Sequence, residues 1–196
     1  LAPRGGISQG QVTRKSMVRL RHFAQGQSQQ FAVYTSGQLE GKGLPKMTAG
    51  VARGFFQGID EIFQNFEIHS RSKLGLYACG QLYPMKSRLI FTLADMGDGI
   101  PSVVTKGLGR QMRPSSAIEW AMTGTNTTRR LDVPGGLGLK MLRRFIELNE
   151  GSLSVVSGTG YWSQSPEGVI RSEMSAPFPG TIVTIEVNTA DPKSYQ

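Results

Sequence analysis

Apolar residues recur along the chain with two different periods. Between residues 46 and 69, Phe55, Ile59, Ile62, Phe63 and Phe66 stand at i, i+4, i+7, i+8 and i+11, one face of an amphipathic helix. The segment "LGLKMLRRFIELNEG" (137–151) repeats this spacing with Leu139, Leu142, Phe145 and Ile146 inward, and Gly151 follows as a stop signal. "SSAIEWAM" predicts a further helix, with Ser116 as N-cap and Glu119 three residues on completing a capping box. Strand signals occupy "QQFAVYTS" (29–36), "KLGLYACGQLYP" (73–84), "SRLIFTLAD" (87–95), "SLSVVS" (152–157) and "GTIVTIEV" (180–187). The short "YPMK" joins two of these as an antiparallel hairpin. Residues between Asp95 and the Ser116 helix read as a loop, and 158–179 as a long hairpin or partly ordered insertion. Strands and helices segregate more than they alternate. The expected fold class is a two-layer α/β sandwich, a mixed sheet with helices on one face.

Length and composition narrow this picture. The chain has 196 residues, enough for one ordinary domain with a real core, and no internal repeat divides it. The expected organisation is a leader over 1–28, one domain over 29–188 and a tail over 189–196. No apolar run approaches the roughly 20 residues of a membrane helix. The opening "LAPRGGISQGQ" lacks the apolar core of a signal peptide and reads as a flexible leader, with a longer chain upstream left open. A single cysteine, Cys79, excludes an internal disulfide and makes a cytoplasmic location the simple reading. Its setting in "LGLYACGQLY" suggests a core thiol. Two histidines and one cysteine do not make a usual structural zinc site.

The net charge of +8 fits either a solvated basic surface or an anionic ligand. Nucleic acid is not the favoured anion, because basic and aromatic residues do not interleave and no zinc-finger spacing is present.

Three stretches carry candidate chemistry. Glu61, Asn65 and His69 fall at steps of four, so they form one row beside the Phe/Ile face, at the rim of the core. Taken alone, such a row reads first as a solvent-facing polar edge, although Asn is mildly unfavourable in mid-helix. In "DMGDGIP", Asp95 ends an apolar strand, where a carboxylate can accept a hydrogen bond from an exocyclic amine; Gly97 and Gly99 let the backbone turn and a flat ligand approach. The bland alternative is an ordinary strand–loop turn. In "PGGLGLK", Gly135, Gly136 and Gly138 precede or open a helix whose N-terminal N–H groups and dipole favour phosphate. Lys140 is followed by Met141, which excludes a Walker A loop, and the long polar loop before this run excludes a Rossmann fingerprint.

In this order, Glu-x-x-x-Asn on a helix, Asp-x-Gly-x-Gly after a strand and Gly-x-Gly opening a helix resemble the N, G1 and G2 boxes of the GHKL superfamily. Gyrase, heat-shock chaperone clamps, histidine kinases and mismatch-repair ATPases belong to that group and share the Bergerat ATP-binding fold. "PGTIVTIEV" resembles the Gly-Thr strand that closes its pocket. "NFEIHS", "AIEWAMTGTNTTR" and "PGGLGLKML" are most similar to small bacterial histidine-kinase-like domains related to anti-sigma-factor serine kinases. The resemblance covers about residues 45–188.

The resemblance implies roles. Asn65 would coordinate Mg²⁺ on the ATP phosphates; one amide oxygen suffices for an ion that keeps several waters. Glu61 would orient or activate a water or a hydroxyl. Asp95 would bind the adenine amine with Thr181 helping through water, and Gly97, Gly99 and Ile100 would border the base. Gly136, Leu137, Gly138 and Leu139 would meet the phosphates. Residues 123–134 would form an ATP lid, with Thr128 and Arg129 reaching ATP. Arg129 and Arg130 are equally well read as solvated lid surface.

Ile68 stands where histidine kinases often carry a basic residue. No phosphoacceptor helix is visible, since His22 in "RLRHFAQ" lacks both an acidic neighbour and a long helical hairpin. The implied partners are therefore ATP and a separate protein substrate or regulator, with a homodimer also compatible. The implied function is Mg-dependent ATP binding in bacterial signalling, with phosphoryl transfer to a partner or ATP hydrolysis. The alternative is a non-catalytic, ATP-dependent conformational switch or interaction module. Trp120 and Trp162 read as packing residues, with an interface anchor the alternative for Trp162.

Overall fold

The computed structural model describes residues 15–123 and 137–195. Strand β1 (Met17–Phe23) leads into helix α1 (Ser28–Leu39), helix α2 (Ala49–Asn65) and a π-helical turn, Phe66–Ser70. The hairpin β2 (Leu76–Tyr83) and β3 (Arg88–Asp95) follows, joined by a 3₁₀ turn, Pro84–Lys86. Helices α3 (Ile100–Leu108), α4 (Pro114–Met122) and α5 (Leu137–Leu148) come next, and the hairpin β4 (Ser152–Ser165) and β5 (Gly168–Asn188) ends the fold.

The five strands form one sheet in the order β1-β2-β3-β5-β4, and every pairing is antiparallel. The mixed sheet expected from the sequence is thus corrected. β5 returns from a tight hairpin with β4 and enters beside β3 running against it, so the five described strands form no parallel pair. The α/β class stands.

Alternation fixes which face is covered. Leu89, Phe91 and Leu93 of β3 are buried, as are Val183, Ile185 and Val187 of β5 and Leu153 and Val155 of β4. They join Phe55, Ile59 and Phe63 of α2 and Leu142, Phe145 and Ile146 of α5 in a single core. Burial of such side chains contributes roughly 1.5–3 kcal/mol each. The opposite face carries half-buried groups such as Thr92 and Thr184, whose hydroxyls lie 3.1 Å apart, and the Arg88–Glu186 ion pair at 2.9 Å. Cys79, paired with Thr92 across the β2–β3 ladder, belongs to this half-buried face and not to the core.

Four further expectations change. Residues 29–36 are helical, within α1, not a strand. Their buried members Phe31, Tyr34 and Thr35, with Leu39, fall at helical spacing, and Phe31 stacks on Phe63 at 4.5 Å. Packing against α2 overrides the β propensity of Phe, Val, Tyr and Thr. The expected loop after Asp95 contains α3, opened by Pro101 in its first turn. α4 begins at Pro114 with Arg113 as N-cap and no side-chain cap, so Ser116 is inside the helix and the capping box does not form. After α5 the left-handed residue is Glu150 (φ 57°), while Gly151 serves close approach: a Cβ there would stand 2.2 Å from the Glu186 carbonyl oxygen.

α2 and α5 cross closely because of glycine. A Cβ at Gly58 would meet Leu142 at 2.5 Å and the Gly138 carbonyl oxygen at 2.6 Å. This contact sets the N-terminus of α5 against the middle of α2.

Candidate functional site

Two clusters of polar groups lie along α2. The first is at the end of the sheet's covered face. Asp95 of β3 pairs with Thr181 of β5, and Thr181 pairs with Ser157 of β4, so the three stand in one row across three strands. Asp95 is only 6% exposed and Ser157 is fully buried. The Ser157 hydroxyl donates to the Gly180 carbonyl at 2.7 Å, lies 3.1 Å from the Thr181 hydroxyl and accepts the Ile100 N–H at 2.9 Å. It thereby holds the start of α3 against the β4–β5 pair.

Asp95 accepts the Gly97 N–H at 2.8 Å and a hydrogen bond from the Ser70 hydroxyl. Burial nevertheless dominates and pushes its carboxyl up to about 6, against the pull of those two donors. A carboxylate kept short of solvent and of full neutralisation is suited to take a donor from a ligand.

Glycine makes this corner possible. A Cβ at Gly97 would stand 1.9 Å from the Ser70 carbonyl oxygen, and at Gly180 (φ +101°) 2.1 Å from that of Asp95. The loop after β3 is thus pressed against the end of the π-helical turn, where Asp98 N–H donates to the Ser70 carbonyl at 2.6 Å. Gly99 (φ +73°) is the N-cap of α3, with Ser157 Oγ 2.9 Å from where a Cβ would stand.

The second cluster joins Glu61 to α5. Glu61 Oε2 accepts the N–H of Leu139 at 3.1 Å, and a Cβ at Gly138 would stand 3.1 Å from the same oxygen. The carboxylate therefore satisfies an unpaired donor in the first turn of α5. Leu137, the first residue of that helix, is exposed. Asn65 is half-buried one turn beyond Glu61, and His69 is half-buried in the π-helical turn. From Glu61 to Ser70 the helical rise is roughly 13 Å. Along the chain Asn65, the last residue of α2, thus lies between Glu61 and Ser70.

Most sequence-derived candidates are brought together in this way. Asp95, Gly97, Gly99, Ile100 and Thr181 share the sheet-end corner, and Glu61, Gly138 and Leu139 share the α2–α5 crossing. Thr128, Arg129 and Gly136 lie outside the described residues, as does the expected lid beyond Thr123. Sequence reasoning missed Ser157 and Ser70, and met Gly180 only as part of the Gly-Thr strand. Ser157 had a signal: it continues the inward alternation of Leu153 and Val155 and is the polar residue at a core position.

The donor set bears on a metal. Among the described residues no group of three or more His, Cys, Asp or Glu side chains is placed to hold a cation. A site built on the Asn65 amide oxygen would take most ligands from phosphate and water, which suits Mg²⁺. His22, the other histidine, hydrogen-bonds through Nε2 to the Leu74 carbonyl at 3.0 Å and contacts the Tyr77 ring. No helix among the described residues is long and apolar enough to cross a membrane. A scan against protein-family models finds no match to this chain, and a search of curated proteins finds none either.

Proposed function

We propose that this chain is a Mg-dependent ATP-binding protein of the histidine-kinase-like type, which transfers the terminal phosphoryl group to a separate protein or hydrolyses ATP. The observation that carries the reading is the corner around Asp95: a buried carboxylate in register with Thr181 and Ser157, framed by glycines at 97, 99 and 180.

In this reading the Asp95 carboxylate accepts from the exocyclic amine of adenine, and the Thr181 hydroxyl assists through water. Gly97 and Gly99 let the loop after β3 press against Ser70 and Ser157, which shapes the corner beside Asp95. The Gly138 and Leu139 N–H groups, at the N-terminus of α5, receive phosphate oxygens. Mg²⁺ held by the Asn65 amide oxygen supplies neutralisation of phosphate charge. Glu61, released from Leu139, accepts the proton of the attacking water or hydroxyl. Most of the rate then comes from positioning and charge stabilisation.

The Glu61–Leu139 hydrogen bond favours a second reading beside this one. A phosphate that takes the Leu139 N–H must displace Glu61, so occupancy would change how α2 meets α5. A switch needs such a differential contact between its states, and here it needs no turnover.

Calorimetric titration of Mg–ATP and Mg–ADP, wild type against Asn65→Ala, tests the proposal. Binding that requires magnesium and is lost in the variant supports it. Absence of binding by the wild-type chain, or equal binding by both proteins, overturns it. Transfer of γ-phosphate label, or its absence despite tight binding, separates the enzyme from the switch.

A further inference from the structure

The sheet has a second face. In β2, β3, β5 and β4 the positions that alternate with the core residues point away from the helices, and they retain exposure. One row on this face crosses every strand: His22, Tyr77, Ala94, Ile182 and Val156 stand opposite one another in register. Tyr77 is 42% exposed and packs against the His22 ring at 5.0 Å, while Ala94, Ile182 and Val156 are half-buried. The next row is small and uncharged: Cys79, Thr92, Thr184 and Ser154. Ile90 adds a further half-buried apolar side chain beyond it.

The charges on this face cancel. At these positions of β2, β3, β5 and β4 the charged side chains are Arg88 and Glu186, and they pair with each other at 2.9 Å. The chain as a whole carries +8. Two copies therefore repel through their net charge, and this face is where they can meet without bringing like charges together. An acidic or basic partner finds no complementary charge here. A neutral, half-apolar sheet is instead complementary to itself, as an isologous interface requires. The area is sufficient. Five strands spaced about 4.8 Å apart, with roughly seven residues each at about 3.4 Å, make a face of about 600 Å². Two such faces together bury about 1,200 Å², within the range of specific interfaces.

We propose that the uncovered sheet face is a homodimer interface, in which two copies pack sheet on sheet with the apolar row through Tyr77 and Ile182 buried between them. This contact lies on the side of the sheet opposite the α2–α5 crossing and needs no nucleotide.

The test is sedimentation equilibrium of the full chain without nucleotide, over rising protein concentration. Wild type is compared with Tyr77→Lys and with Val33→Lys, which adds the same charge at a 67% exposed position of α1. A reversible monomer–dimer equilibrium is expected, tighter at high salt because salt screens the repulsion between the net charges. Tyr77→Lys is expected to weaken it at least about tenfold, and Val33→Lys to leave it unchanged. The single cysteine gives a second readout in the wild-type chain. Cys79 is half-buried on the same face, so its alkylation by iodoacetamide should be several-fold slower in the dimer than in the monomer. A chain that stays monomeric at every concentration, a dimer equally stable in Tyr77→Lys, or a Cys79 thiol equally reactive in monomer and dimer overturns the proposal. The thiol measurement uses only wild type, so it stands even if Tyr77→Lys folds poorly.

Discussion

Glu61 and Leu139 meet across the α2–α5 crossing, carboxylate to backbone N–H at 3.1 Å, in the place where the proposed function needs a phosphate. The bond gives Glu61 a structural role separable from any chemical one. Glu61→Ala leaves an N–H of α5 without its acceptor and is expected to cost about 1–2 kcal/mol in urea denaturation. Glu61→Gln keeps an acceptor and is expected to cost less. The proposal adds a second contrast. Glu61→Gln should bind Mg–ATP at least as tightly as wild type, because it removes a negative charge that competes with phosphate, while turnover falls about 10²–10⁴-fold. A Gln variant with wild-type turnover would remove Glu61 from the chemistry.

Asp95 links stability to pH in a sign opposite to most surface carboxylates. Its folded carboxyl titrates at about 6 against an ordinary 3.8. Between those values the folded chain binds more protons than the unfolded chain. The contribution to stability is therefore fully present below about pH 3.8 and is lost as pH rises through about 6. Asp95→Asn abolishes this loss and is expected to stabilise the chain at pH 8 by about 1–3 kcal/mol. It should also flatten the stability profile between pH 4 and 6. Nucleotide binding should respond oppositely: it weakens in the wild type as pH falls below 6, and Asp95→Asn loses it at every pH. Thermal denaturation and calorimetry across that range measure both.

Ser157 is the hub of the sheet-end corner. Ser157→Ala removes the acceptor of the Ile100 N–H and the donor to the Gly180 carbonyl. Leaving buried groups unpaired costs about 1–3 kcal/mol. Because these groups set the start of α3 against Thr181, nucleotide affinity should drop further than stability alone explains. Thr181→Val, which loses only one hydroxyl contact at 3.1 Å, should be milder in stability. A Ser157→Ala chain with unchanged stability and affinity would show that the corner does not depend on this hydroxyl.

The sequence was most readable where packing and periodicity agree. Leu139, Leu142, Phe145 and Ile146 all point inward from α5, as do Phe55, Ile59, Phe63 and Phe66 in and just after α2, while Ile62 is only half-buried. The β2–β3 hairpin follows its short connection. β1 was hidden because it is an edge strand: only Val18 and Phe23 are buried, so it shows no alternation and fell within the expected leader over 1–28. α3 was hidden by β-branched residues and a glycine, which weaken helical signals that Pro101 and the contact with Ser157 offset. At the site, Asp95 and the α2 row stood out because a polar residue at a strand end or core rim asks for a reason. Ser70 did not, since its role arises only when the loop after β3 is pressed onto the π-helical turn, and Gly180 showed only as the glycine of the Gly-Thr strand, not as the close contact with Asp95.

The C-terminal segment closes the core in a way that local pattern does not announce. Tyr195 is buried, packs on Phe145 at 5.1 Å and pairs through its backbone with Lys46, while its hydroxyl hydrogen-bonds Asp191. Asn149, fully buried at the end of α5, donates to the Asn188 carbonyl at 3.0 Å and to Asp191 Oδ2 at 3.1 Å, and accepts the Asn188 N–H at 2.7 Å. Residues 189–195 thus tie the start of α2 to the end of α5, the two helices whose crossing forms the second half of the site. Asn149→Ala strands two backbone groups and is expected to destabilise by about 2–4 kcal/mol. Tyr195→Ala is expected to cost about 2–4 kcal/mol through the lost ring. Tyr195→Phe keeps the ring contact with Phe145 and should cost about 1 kcal/mol. If Tyr195→Phe is as damaging as Tyr195→Ala, the Asp191 hydrogen bond and not the aromatic packing holds the segment in place; equal stability of all three chains would mean that the segment contributes nothing to the crossing.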